Sequence, residues 1–137
     1  MKKTLLSAIV SICLIFCVSV PPVAFASDGD NPYQPQWDNV SKINLTMNYS
    51  GGAVNWAGEI EGYSGVTKIS ATFTLEKRNA SGKYEYVDSW AASSTKAYLY
   101  KEASKTASRG TYRLSVKATV TGSAGTETVT DSLVKTL

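Results

Sequence analysis

From Tyr112 to Val120 every second residue is apolar: Tyr112, Leu114, Val116, Ala118 and Val120, with Arg113, Ser115, Lys117 and Thr119 between them. A two-residue period sends side chains to opposite faces of an extended chain, so this run predicts a β-strand with one buried face. The pattern recurs. Ile43, Leu45, Met47 and Tyr49 alternate with polar neighbours, and Val54, Trp56 and Ile60 share a face. Ile69, Ala71, Phe73 and Leu75 point one way while Ser70, Thr72, Thr74 and Glu76 point the other. Gly51-Gly52, Gly62 to Gly65, Asn79-Ala80-Ser81-Gly82 and Thr121 to Gly125 supply the turns.

Three further segments are less sharply phased. In Tyr84–Trp90, Val87 as a core residue puts Tyr84, Tyr86 and Trp90 on the opposite face. Trp90 as a core residue instead buries Tyr84, Tyr86 and Asp88, and Asp88 then needs a partner. Near Lys96–Lys101, Ala97 and Leu99 alternate with Tyr98 and Tyr100, whereas polar Lys101 to Arg109 has room for a helical turn. Glu127 to Lys135 reads as a last strand with Val129 and Leu133 as its core contacts. Together these runs predict an all-β domain over residues 40–137, a seven-stranded antiparallel sandwich of two packed sheets.

Gly110-Thr111-Tyr112-Arg113-Leu114-Ser115-Val116 refines this to an immunoglobulin-like sandwich. A tyrosine two residues before a core position at the start of the sixth strand is where a tyrosine corner sits, its hydroxyl tied back to the preceding loop. Leu114 stands where such domains carry a second cysteine, so packing around Trp56, Phe73 and Leu114 takes the place of a disulfide. Gly62-Tyr63-Ser64-Gly65-Val66-Thr67-Lys68-Ile69, Leu75-Glu76-Lys77, Val87-Asp88-Ser89-Trp90, Gly110 to Leu114 and Gly125 to Thr128 together resemble a set of small secreted proteins of Gram-positive bacteria. The resemblance spans roughly residues 40–135 and rests on the order and spacing of short motifs. It implies an immunoglobulin-like domain behind a signal peptide, and it carries no activity and no functional residues.

The first 26 residues fit that expectation. Lys2 and Lys3 precede an apolar run from Leu5 to Val20, and Ala24-Phe25-Ala26 forms the small-x-small site that predicts cleavage before Ser27. The run falls short of the ~20 residues that span a bilayer. Phe16 before Cys17 and Ile12 before Cys13 are too large for a lipoprotein site. Residues 27–39, with Asp28-Gly29-Asp30-Asn31, Pro32 and Pro35, read as a flexible linker. The mature product is therefore expected outside the cell, free of the membrane after cleavage, either released or held at the cell wall by contacts.

The cleaved segment takes both cysteines with it, and the chain has no histidine. That removes thiolate chemistry, the usual base of serine and cysteine nucleophiles, and the commonest zinc ligand. Of 14 Lys and Arg against 11 Asp and Glu, Lys2 and Lys3 also leave. The remainder is within one charge of neutral, which argues against a nucleic-acid partner. Glu59 and Glu61 share one strand face about 6–7 Å apart, near the spacing of an inverting glycosidase pair. Two neighbours on one solvated strand, however, lack the unlike environments that split acid from base. Asp28, Asp30 and Asn31 begin like a calcium loop but lack its later glycine and glutamate. Pro32-Tyr33-Gln34-Pro35 matches P-x-x-P, whose simpler role here is to keep the linker extended.

What remains is surface. Tyr98, Tyr100, Tyr84 and Tyr86 form the candidate ligand-binding set, able to stack on sugar rings or to centre a protein contact. Thr72, Thr74, Thr119, Thr126, Thr128 and Thr130 suggest Thr-rich outer faces, and Lys77, Arg78 and Lys83 form a basic hairpin tip. No catalytic residue, metal site or cofactor is expected. The expectation is a secreted, non-enzymatic domain that binds a protein or a cell-surface glycan. Self-association through edge strands is the alternative, followed by a small secreted enzyme or toxin.

Overall fold

The computed structural model describes residues 36–137. The expected signal peptide, with the expected cleavage residues Ala24, Ala26 and Ser27, and the part of the expected linker up to Pro35 lie outside the described residues. Seven antiparallel strands follow: β1 (Val40–Ser50), β2 (Ala53–Gly62), β3 (Lys68–Arg78), β4 (Tyr84–Ser94), β5 (Tyr98–Thr106), β6 (Thr111–Gly122) and β7 (Gly125–Thr136). They form a three-stranded sheet ordered β1-β2-β5 and a four-stranded sheet ordered β4-β3-β6-β7. Among the described residues there is no helix. The open reading of Lys101–Arg109 resolves toward strand: β5 continues to Thr106, because each residue from Lys101 to Thr106 finds a ladder partner between Gly58 and Ala53 of β2.

The inner faces of both sheets meet in one core. β6 buries Tyr112, Leu114, Val116, Ala118 and Val120, and β3 buries Ile69, Ala71, Phe73 and Leu75. β2 contributes Val54, Trp56 and Ile60 from the other sheet. Trp56 lies with its ring centroid 5.0 Å from Phe73 and 5.0 Å from Trp90. Gly58 completes the inward face of β2, and a Cβ there would overlap the Phe73 ring. The missing side chain is thus the space that Phe73 fills.

The two open phases of the Tyr84–Trp90 segment are both realised. Glu76 faces Tyr86 and Leu75 faces Asp88, so Val87 is an extra residue opposite none of β3. Such a bulge flips the phase of the strand. Before it Tyr84 and Tyr86 face outward, and after it Asp88 and Trp90 face inward. Val87 and Trp90 both pack against the core. Asp88 has the partner its position demands, as Lys105 of β5 donates to it at 2.7 Å across the open side of the sandwich.

The opposite open side is stitched in the same manner. Glu127, Asp131 and Lys135 on β7 stand opposite buried Val120, Val116 and Tyr112 of β6, so they lie on the inner side of their sheet. Lys135 reaches across to the Met47 carbonyl at 2.8 Å. The Glu127 carboxylate accepts from the amides of Asp38 at 3.0 Å and Asn39 at 2.6 Å. Asn39 is 3% exposed and donates its side-chain amide to Gly125. Trp37 also packs on the core, so the last residues of the expected linker join the folded body.

Candidate functional site

The register of β1, β2 and β5 aligns the outer face of the smaller sheet in rows. Lys42, Glu61 and Tyr98 form one row; Asn44, Glu59 and Tyr100 the next; Thr46, Ala57 and Glu102 the third. Tyr98 and Tyr100 are 48% and 50% exposed and stand side by side on an edge strand. Their neighbours are acidic. Tyr100 donates its hydroxyl to Glu102 at 2.8 Å. That bond, ahead of desolvation, raises the Tyr100 pKa above the usual phenol value. For Tyr98 desolvation is the main cause of an upward shift, with the Glu59 and Glu61 carboxylates reinforcing it. Both phenols stay neutral at physiological pH, and their rings border carboxylates that accept hydrogen bonds or meet cations. Among the described residues no group of acidic side chains converges closely enough to hold a metal ion.

Tyr84 and Tyr86 lie elsewhere. They sit on the outer face of the four-stranded sheet, on the far side of the sandwich from Tyr98 and Tyr100. Arg113 covers the Tyr84 ring at 4.3 Å and pairs with Glu76 at 2.7 Å, so that ring is already stacked. Tyr86 is 66% exposed, with its hydroxyl 3.2 Å from Ser89 Oγ. The four tyrosines therefore form two separate surfaces.

Beside Tyr86 the larger sheet presents three rows, the first and third made wholly of hydroxyl residues: Ser93, Ser70, Thr119 and Thr128; then Ala91, Thr72, Lys117 and Thr130; then Ser89, Thr74, Ser115 and Ser132. Thr72, Thr74, Thr119, Thr128 and Thr130, scattered in sequence, share this face. Two shallow hollows flank its middle row, and Thr72 and Lys117 line both. The basic hairpin tip is largely committed to local structure. Lys77 bonds to Ser108 Oγ at 2.6 Å, Arg78 to the Gly82 carbonyl at 3.4 Å, and the Asn79 side chain accepts from the amides of Ser81 and Lys83.

Glu102 was not singled out in sequence, because its phase depends on recognising Lys101–Thr106 as strand. Continuing the Tyr98-Tyr100 alternation by one step would have found it. The hydroxyl-rich rows depend on strand order, which alternation within single strands does not encode. Compared with known proteins, the chain matches no family model and no curated protein sequence.

Proposed function

We propose that the mature chain is a secreted, non-enzymatic immunoglobulin-like domain, akin to the small Gram-positive proteins it resembles, that acts by contact with a protein or glycan at or outside the cell surface. The observation that carries this reading is the paired exposure of Tyr98 and Tyr100 amid Glu59, Glu61 and Glu102. Adjacent exposed aromatics with hydrogen-bonding groups at their rims suit a contact surface. The immunoglobulin-like assignment draws support from the split of the first, second and fifth strands from the third, sixth and seventh, with the fourth beside the third. The hydroxyl bond of Tyr112 to Ser108, at the corner before β6, supports it further.

Pairing through edge strands is less favoured. Charges on the inner side of β7, the Asp88–Lys105 pair and the β4 bulge are the devices that stop sheets from adding strands. The test is a wall-fragment pull-down and glycan-array screen of the mature protein beside the Tyr98→Ala/Tyr100→Ala variant. Binding that survives unchanged in the folded variant refutes the tyrosine surface.

A further inference from the structure

We propose that the Tyr98–Tyr100 face docks onto the hydroxyl face of a second copy of this chain, stacking sandwiches head to tail. This names the partner of the surface described above and rests on that reading. The argument begins with charge. The outer face of β1-β2-β5 carries Lys42 against Glu59, Glu61 and Glu102. The outer face of β4-β3-β6-β7 carries Lys68, Arg78, Arg113 and Lys117 against Glu76. The charges on the two outer faces are thus divided into a mainly acidic set and a mainly basic set on opposite sides of one sandwich. Each is the complement of the other.

Shape follows the same division. Tyr98 and Tyr100 project from one strand two residues apart, a spacing of about 6.7 Å. On the opposite face two hollows flank the Thr72–Lys117 row, one reaching β7 through Thr130 and Ser132 and the other reaching β4 through Ala91 and Ser93, so the line joining them runs diagonally across the strands. Seating the two rings in those hollows brings Lys117 between them and toward Glu59 and Glu61. There its ammonium meets both ring faces and carboxylates. The surrounding Ser and Thr hydroxyls are small enough to admit the rings and polar enough to bond their hydroxyl tips.

The two patches differ, so the contact is heterologous and propagates: each copy keeps one free face of each kind. It also escapes the inward charges that guard the edges, because it uses faces instead of backbone. Three strands about 4.8 Å apart offer a patch at the low end of specific interfaces, so each contact is expected to have a Kd on the order of 100 μM.

Sedimentation of the mature protein from about 10 μM to 1 mM at low salt tests this. The expected result is an average mass that climbs past twice the monomer mass and falls back by at least about half at high salt. Lys117→Glu alone and Glu59→Lys/Glu61→Lys alone should each remain monomeric. An equimolar mixture should associate again, because each variant then presents a face complementary to the other. Near-UV circular dichroism verifies that the variants are folded. A wild-type monomer at every concentration overturns the proposal, as does association unchanged by Lys117→Glu. If the wild type stays monomeric while Tyr98→Ala/Tyr100→Ala abolishes capture of wall fragments, the tyrosine surface stands and only the self-docking falls. If neither association nor capture occurs, both fall.

Discussion

The hydroxyl of Tyr112 donates to the backbone carbonyl of Ser108, tying the β5–β6 connection to the start of β6. Tyr112 is fully buried, and Lys77 lies 5.4 Å over its ring while bonding to Ser108 Oγ. The phenol oxygen would be costly there without a partner. Removing it as Tyr112→Phe takes away the bond but leaves the ring, and Lys77 still caps Ser108. The expected loss is about 1–1.5 kcal/mol, read as a lower urea midpoint with an unchanged slope. A midpoint equal to that of the wild type contradicts this role.

Gly58 and Phe73 form a matched pair across the two sheets. Gly58→Ala places a methyl inside the Phe73 ring envelope and should cost about 1–3 kcal/mol by overpacking. Phe73→Leu in the Gly58→Ala background should cost measurably less than in the wild type. Thermal denaturation of the four proteins reads the coupling, and strict additivity would show that the close approach carries no energy.

Asp88 supplies a pH dependence. The hydrogen bond from Lys105, followed by that from the Ser89 amide, holds its carboxyl below the usual 3.8. A depressed folded value means that its stabilisation is complete above the ordinary carboxylate pKa and is lost as pH falls through the lower folded one. At neutral pH Asp88→Asn should therefore melt below the wild type, with the gap closing under acid conditions below about pH 4. Both partners are partly solvated, so salt should shrink the gap as well. A gap that widens in acid contradicts the pairing.

Glu127 holds the entry to β1 by accepting two backbone amides with one carboxylate. Glu127→Gln keeps the shape but replaces one acceptor oxygen with a donor, so one amide loses its partner. The expected cost is about 1–2 kcal/mol. Hydrogen exchange at Asp38 and Asn39 should speed up selectively, ahead of amides in β3 and β6. Uniform acceleration across the domain would instead mean that the loss is global.

Within single strands the architecture was legible. The alternations at Ile43–Tyr49, Ile69–Leu75 and Tyr112–Val120 point inward as read, because a buried face imposes its period directly on the residues. Gly58 carries no signal in the sequence, since a glycine on an inward face shows nothing until the Phe73 ring is seen to occupy its place. The polar tail of β5 concealed a strand because its inner face ends at the open side of the sandwich, where Lys101 and Lys105 take positions that apolar residues hold elsewhere. Tyr98 and Tyr100 were found from alternation alone. Their separation from Tyr84 and Tyr86 required knowing that β4 and β5 belong to different sheets.

Val87 acts on β4 much as an inserted base acts on a reading frame. Everything after it is interpreted in the other phase. One continuous strand therefore answers to two constraints, an outward face for Tyr84 and Tyr86 and core packing for Trp90. The first half of β4 is tied to its own sheet through Arg113 over Tyr84, while the second half is held to the opposite sheet through Trp90 on Trp56. Adding or losing a single residue at this point would exchange the inside and outside of half a strand.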